Sequence, residues 1–360
     1  MAHYEQRLAA DKGAIRERVA AVAEVVGEAV SEAVGGLLAL DPTVSAEVML
    51  GDLPVNREIR AIDAQCHAFV ARHLPSAGHL RFVSSVMRMT IALERIGDYA
   101  VTIARETVQL SEGPPPAMAE QLEDLSAQAS GMLAQAMQAF REKDGDLARD
   151  TKPLGRDIHR AYYQVFTELM GDDVPRPLRD RFGLLSVFSR LERVCDQAKN
   201  ICEETLFELT GETKPPKVYR VLFVDHTNTL LGPLATAIAR KAFPQSGRYQ
   251  TAGYAPGEAL APELVSLADQ LGLELSELGP RKLSIKSDAL GGYHVIVLLS
   301  KHCRRHLGDV PFHTACLEWG LPPVSDEDGN PSPRALTDIS QQLSAEIRDL
   351  LVILRGDDAD

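Results

Sequence analysis

Two pairs of carboxylates, each with its members four residues apart, are the clearest candidates for chemistry in this sequence. Glu94 and Asp98 form the first pair, and Glu192 and Asp196 form the second pair 98 residues later. On a helix, residues four apart share a face with their Cβ atoms about 5–6 Å apart, so each pair repels itself unless a cation compensates. Carboxylate oxygens are hard ligands that suit such cations. The spacing therefore predicts a metal site on each of two helices.

The second pair has further polar neighbours. Asn200 and Glu203 continue the stripe beside Asp196, so we expect both to join the metal ligands there. We expect a divalent or trivalent ion: Fe, Mn, Zn or Mg. Alternatively, the acids form the solvated face of an amphipathic helix, with Arg95 and Arg193 as neighbours. The recurrence of both pairs at equivalent positions favours the metal sites.

The elements that carry these acids are themselves repeated. Leu93-Glu94-Arg95 recurs as Leu191-Glu192-Arg193, and further matches at the same offset run from Leu80 to Glu106. This pattern indicates an internal duplication. Apolar residues at three- and four-residue spacing predict helices over 8–40, 42–74 and 79–112 in the first copy and 116–143, 146–171 and 176–211 in the second. Each copy is predicted to be a three-helix bundle.

The pattern changes near residue 213. Apolar, β-rich runs over 219–224 and 293–299 predict buried strands, with helical signals between them and a final helix from Pro333 to Arg355. Strands that alternate with helices predict a parallel sheet covered by helices on both faces. The predicted domains are therefore repeat 1 at 1–112, repeat 2 at 117–212, a linker at 213–218 and an α/β domain at 219–356.

Composition excludes several classes of protein. The chain of 360 residues has a formal net charge of -13 and no basic stripe in any one segment, which disfavours nucleic-acid binding. No apolar run approaches the ~18 residues of a membrane helix, so we expect a cytoplasmic protein with at most peripheral membrane contact. The five cysteines are odd in number and form no C-x-x-C pair, which disfavours a disulfide framework or a zinc knuckle.

The helical region resembles the PhoU family of phosphate-uptake regulators over residues 5–212. The similarity rests on four segments: Leu93 to Ala100, Leu191 to Ile201, Asp52-Leu-Pro-Val-Asn56 and His79-Leu-Arg81. The resemblance implies an all-α pair of three-helix bundles with carboxylate-bound metal ions on their outer faces. It also implies a regulator that couples the ATPase of a phosphate ABC transporter to a sensor histidine kinase, with a homodimer as the expected state.

The sequence departs from the family pattern at three positions. His79 replaces the usual aspartate, Thr102 stands where the second repeat has Asn200, and Gly155 falls where the first repeat has Asn56. We therefore expect unequal metal binding in the two repeats, with the second better supported.

The region from residue 218 to 356 resembles the low-molecular-weight tyrosine phosphatase and arsenate reductase superfamily. Its strand, loop and helix start could hold an anion on backbone N–H groups, and the loop residues in question are Asp225, Asn228, Leu231 and Gly232. Later matches include Thr251-Ala-Gly253 and Glu318-Trp319-Gly320. The resemblance implies an α/β parallel-sheet domain of phosphatase type.

The groups that this superfamily uses for catalysis are missing. Asp225 stands at the position of its nucleophilic cysteine and Leu231 at that of its phosphate-binding arginine, while its general acid falls among Leu321, Pro322 and Pro323. We therefore expect a pseudo-phosphatase that senses a ligand or binds a partner, with no catalytic residues. One enzymatic alternative stands: the loop from Asp225 resembles that of haloacid-dehalogenase phosphotransferases, in which an aspartate is phosphorylated with Mg. No strand ending in paired aspartates supports it.

Overall fold

A computed structural model describes residues 2–155, 165–166, 168–169, 171, 176–213, 216–311, 313–322, 324, 332–356 and 359. Contacts divide the chain into two compact units, Met1–Lys214 and Pro215–Asp360. The first unit is helical, and the second contains a parallel sheet with helices. No helix within the described ranges is both long enough and apolar enough to cross a membrane.

The first repeat consists of three long helices: α1 (Ala2–Ala39), α2 (Pro42–His73) and α3 (Ala77–Thr107). Asp41 caps α2, because its side chain accepts hydrogen bonds from the N–H groups of Thr43 and Val44. The third helix is shorter than predicted. After Thr107 the chain turns, with the N–H of Leu110 donating to the carbonyl of Glu106.

The second repeat contains α4 (Pro116–Glu142), α5 (Gly145–Thr151), a 3-10 turn (Lys152–Gly155) and α6 (Leu178–Thr210). Much of the helix predicted over 146–171 lies outside the described residues. In its described part the α-helix gives way to the 3-10 turn next to Pro153, which has no N–H to donate to an α-helical hydrogen bond.

The duplication is visible in the contacts between α3 and α6. Ser85 Oγ on α3 donates to the carbonyl of Glu204 on α6, at 3.0 Å. The equivalent pair at the offset of 98 also meets: a Cβ added to Gly183 would lie 3.3 Å from Glu106 Oε2. The start of each helix contacts the end of the other, so α3 and α6 run antiparallel to each other. Leu93, on the helix that carries the first acidic pair, is fully buried.

The second unit has the elements β1 (Tyr219–Asp225), α7 (Leu231–Ala242), β2 (Gly247–Gly253), α8 (Pro262–Leu271), α9 (Ser287–Leu290), β3 (Val295–Leu298), a 3-10 turn (Cys303–His306), β4 (Ala315–Glu318) and α10 (Pro333–Arg355). All strands are parallel, in the order β2-β1-β3-β4. The sequence predicted the two central strands. The two edge strands, which contain polar residues such as Arg248 and Gln250, were not predicted because they lack a continuous apolar run.

Apolar layers cover both faces of this sheet, as predicted for a parallel arrangement. On one face, Phe223 packs in a cluster with residues of α7 and α10, including Leu343. On the other, Val224 and Ile296 pack with Leu290 at the end of α9. The sheet is therefore a rigid frame that fixes the positions of the loops at the ends of its strands.

Candidate functional site

The oxygen-rich site of the first repeat lies where α2 packs against α3 at Gly97. A Cβ added to Gly97 would lie 2.8 Å from Asp52 Oδ1, so a glycine is required for this close approach of the carboxylate to the helix. Asn56, one turn further along α2, donates from Nδ2 to Asp52 Oδ2 at 2.5 Å. The Asp52-Leu-Pro-Val-Asn56 segment thus faces the helix that carries Glu94 and Asp98.

Two oxygen atoms in this site have no hydrogen-bond donor. Asp52 Oδ1 and Asn56 Oδ1 are buried, and neither has a partner among the described residues. The pKa of Asp52 is raised by burial and by the negative charge of Asp98, against smaller opposing effects of Asn56 and Arg105. A buried acceptor without a donor costs roughly 1–3 kcal/mol. Carboxylate and amide oxygens are ligands that hard cations prefer, so the chemistry of Asp52 and Asn56 fits a metal ion.

The predicted acids of the first repeat lie beside this site but are themselves more open to solvent. Glu94 and Asp98 are both exposed on α3. Across the described ranges, no group of three or more His, Cys, Asp and Glu side chains converges as a metal cluster. The candidate site of the first repeat therefore consists of carboxylate oxygens together with the amide oxygen of Asn56. The sequence showed Asp52 and Asn56 only through their family resemblance.

The second repeat has a different arrangement. Lys152 Nζ lies 3.4 Å from Glu203 Oε1, so a cation of the chain itself already neutralises this acid. Asp196 is exposed and lies 3.4 Å from Arg193 Nη1. Asn200 donates from Nδ2 to Gln197 Oε1 at 3.3 Å.

Other contacts also distinguish the two repeats. Cys195 stands where the first repeat has Gly97, and its Cβ would lie 3.4 Å from a Cβ added to Gly155. Glu192, the remaining predicted ligand, is half-buried on α6. Structural support for a cation site is thus clearer in the first repeat than in the second.

The loop after β1 closes on its own carboxylate. Asp225 is buried at the end of the strand, and its Oδ1 and Oδ2 accept hydrogen bonds from the backbone N–H groups of Asn228 and Gly232. Burial raises the pKa of Asp225, although these two hydrogen bonds oppose the shift. Backbone groups that could bind an external anion therefore hold an internal one.

Two neighbouring residues fix this loop. Asn228 adopts a left-handed backbone conformation with φ of 53°, and its side-chain oxygen accepts a hydrogen bond from the Thr251 hydroxyl. A Cβ at Gly232 would lie 2.1 Å from Thr251 Oγ1, so no other residue fits there. The structure thus brings Asp225, Asn228 and Gly232 together, whereas Leu231 adds only an apolar side chain at the start of α7.

None of the described groups near the loop replaces the missing catalytic ones. Cys303 is buried with its Sγ directed to the Val224 carbonyl at 3.6 Å, and burial raises the pKa of its thiol. Leu321 is buried and Pro322 is exposed, while Pro323 lies outside the described residues. The described cysteines of this unit, Cys303 and Cys316, both have raised thiol pKa values, so neither has the lowered pKa of an activated thiolate.

An aromatic stack beside the loop was not predicted from the sequence. The ring of Tyr254 stacks against His226 with centroids 4.7 Å apart and against His306 with centroids 4.0 Å apart. Because the three rings come from separate segments of the chain, no local sequence motif predicts this stack. His306 is thus a packing partner of Tyr254.

Comparison with known proteins matches the helical unit to one family. The PhoU domain family matches residues 19–107 and 122–205, one segment in each repeat. The phosphate-specific transport system accessory protein PhoU homolog of Pseudomonas aeruginosa is 31% identical over 213 residues, covering 58% of this chain and 88% of that protein. The family model thus matches both repeats of this chain.

Solved structures agree with this assignment. The phosphate transport system regulatory protein PhoU from Streptococcus pneumoniae is 27% identical with a TM-score of 0.54, covering 59% of this chain and 99% of that chain.

A different solved structure, the tyrosine phosphatase Wzb from Escherichia coli K30, is also similar to this chain. It is 14% identical with a TM-score of 0.33, covering 38% of this chain and 99% of that chain.

Proposed function

The chain belongs to the PhoU family, and from this premise we propose that it regulates phosphate uptake and phosphate-responsive signalling. The observation that carries this proposal is the match of both helical repeats to a phosphate-specific transport accessory protein. The proposed partners are the ATPase of a phosphate ABC transporter and a sensor histidine kinase. The proposed setting is the cytoplasm, with the chain acting as a homodimer.

This role is tested by genetic complementation. In a strain that lacks the gene for this chain, we supply either the full chain or an empty vector. We then measure phosphate uptake and the expression of a reporter of phosphate-starvation genes. The full chain is expected to restore low reporter expression in phosphate-rich medium. Equal reporter expression with chain and vector would refute the regulatory role.

We further propose that metal binding supports this role. In the first repeat, Asp52, Asn56 and Asp98 would hold a divalent or trivalent ion, with Glu94 one turn away on α3. In the second repeat, the proposed ligands are Glu192, Asp196, Asn200 and Glu203. The bound ion would neutralise neighbouring carboxylates and link α2 to α3. The unpartnered oxygens of Asp52 and Asn56 support the first site.

The metal proposal has a direct physical test. A cation that binds only the folded chain stabilises it by mass action. Addition of Mn²⁺ to chelator-treated protein should therefore raise the melting temperature of the helical unit, followed by circular dichroism. A variant with Asp52→Asn and Asp98→Asn should show a much smaller increase. An equal increase in both proteins would count against this site.

For the second unit we propose a degenerate phosphatase-like domain that senses a ligand or binds a partner without catalysis. The carboxylate of Asp225 supports this, because it lies buried on the loop N–H groups where a phosphate dianion would be repelled. The test is hydrolysis of p-nitrophenyl phosphate with added Mg²⁺ or Mn²⁺, for which we expect no turnover. Turnover that Asp225→Asn abolishes would instead establish the alternative, an aspartate-dependent phosphotransferase or phosphatase.

A further inference from the structure

Two arginines and a histidine lie side by side at the amino end of the sheet in the second unit. Arg220 on β1 is the direct register partner of Arg248 on β2. His294, just before β3, donates its N–H to the Arg220 carbonyl and accepts the Arg220 N–H on Nδ1, each at 2.9 Å. Side chains alternate between the faces of a strand, so the arginines project from the same face.

A cleft of 320 Å³ opens over this row. Its walls are Arg220, Arg248 and Gln250 from the sheet, with Ala289, Gly292 and Tyr293 from the segment at and after α9. The Tyr293 hydroxyl donates to Gln250 Oε1. The Gln250 amide nitrogen is thereby presented as a donor. An adjoining cleft of 390 Å³ shares Arg248 and Gln250 and adds Arg240 to its lining.

Within the part of the chain that the structure describes, neither Arg220 nor Arg248 forms an ion pair, although the chain carries a net charge of -13. Like charges directly opposite each other on neighbouring strands are destabilising. Burial lowers the pKa of His294, and the positive charges of Lys217 and Arg220 lower it further. The guanidinium groups of Arg220 and Arg248 both line the cleft and place two positive charges there.

We infer that the cleft between Arg220 and Arg248 binds a phosphate-type oxyanion, either free phosphate or the phosphoryl group of a small molecule. Guanidinium groups bind such oxygens in bidentate fashion, and an anion between them would remove their mutual repulsion. The Gln250 amide would add a neutral donor. The second cleft beside Arg240 leaves space for the rest of a larger phosphorylated ligand.

This site differs from the loop that contains Asp225. The loop follows the carboxyl end of β1 and is closed by the chain's own carboxylate, whereas Arg220 and Arg248 lie near the amino ends of β1 and β2. The inference deepens the sensing role proposed above and rests on that role for its biological meaning. Binding to the purified chain is measured without any cellular response, so the two proposals can fail separately.

The experiment is isothermal titration calorimetry of the full chain with inorganic phosphate, pyrophosphate and AMP. Comparison of phosphate with AMP distinguishes a free anion from a phosphorylated small molecule. We expect at least one of these ligands to bind wild type, and each single variant, Arg220→Gln or Arg248→Gln, to weaken binding by about tenfold or more. The matched control is Arg334→Gln, an exposed arginine on α10, which should bind like wild type.

Two results would overturn the inference. The first is the absence of binding of all three ligands by wild type, and the second is undiminished affinity in the variant that carries both Arg220→Gln and Arg248→Gln. Fluorescence of Trp319 verifies that the second unit of each variant is folded. Should the double variant fail to fold, the two single variants decide the question on the same criterion.

Discussion

Replacement of Glu208 by glutamine should destabilise the helical unit far more than an ordinary surface replacement. Arg16 Nη2 lies 2.6 Å from Glu208 Oε1, and the two side chains are only 7% and 6% exposed. The guanidinium of Arg16 also lies against the rings of Phe82 and Phe140 and donates to the Phe140 carbonyl. Glutamine preserves the volume and leaves a buried cation without its anion, which costs about 3–5 kcal/mol.

The nearby Lys12 increases this expected cost. Its Nζ lies 4.0 Å from Glu208 Oε1, so the same carboxylate balances two cations. Burial lowers the pKa of Lys12, and the charge of Glu208 opposes that shift. Without this carboxylate, Lys12 and Arg16 face each other as like charges. The double variant with Arg16→Met and Glu208→Leu should be more stable than Glu208→Gln, because it removes both buried charges of the pair.

The assay is urea unfolding, with the helical unit followed by circular dichroism at 222 nm. Glu58→Gln is the matched control, since Glu58 pairs with Arg18 at 2.7 Å while the two side chains are 42% and 37% exposed. A pair this exposed contributes only about 0.2–1 kcal/mol. Trp319, the single tryptophan, reports the second unit separately and should show no change. A loss of stability in Glu208→Gln no larger than in Glu58→Gln would show that the Arg16–Glu208 pair contributes no more than an exposed ion pair.

Three further predictions concern single positions. Gly97→Ala should lower the free energy of unfolding by about 1–3 kcal/mol, because the added methyl group would displace the Asp52 carboxylate. Gly131→Ala, which has open space around it, should instead raise the free energy of unfolding by about 0.5–1 kcal/mol, and urea unfolding measures both. Burial raises the pKa of Asp225 above 3.8, the ordinary value for aspartate. The stability of the second unit should therefore fall as the pH rises above 3.8, because the folded state binds this proton more tightly than the unfolded state. Unfolding followed by tryptophan fluorescence should show this loss in wild type and not in Asp225→Asn. The same slope in both proteins would contradict it. Burial raises the pKa of Cys195 to about 12, so iodoacetamide should label this thiol only after denaturation. Labelling of Cys195 in the native protein at the rate of a free thiol would contradict this burial.

Local patterns predicted most of the helices and the central strands. The helix from Pro333 to Arg355 begins and ends where its flanking residues indicated, and the spacing of apolar residues located α2 to within one residue at its end. These features depend on neighbours along the chain. The domain limits and the metal ligands stay predictions.

Features that depend on contacts between distant segments could not be predicted. The carboxylate of Asp52 meets Gly97 only because α2 packs against α3 at that point, and the sequence gives no crossing position. Arg220, Arg248 and His294 come from three separate segments, each with too few basic residues to form a stripe. Only the order of strands in the sheet makes them neighbours.

Metal binding in the first repeat is tested most directly by elemental analysis of the purified full chain after loading with Mn²⁺ or Fe²⁺ and desalting. Three proteins are compared: wild type, the first-repeat variant with Asp52→Asn and Asp98→Asn, and the second-repeat variant with Glu192→Gln and Asp196→Asn. We expect bound metal in wild type, a clear loss in the first-repeat variant and retention of the first-repeat metal in the second-repeat variant. A first-repeat variant that binds as much metal as wild type would contradict this expectation.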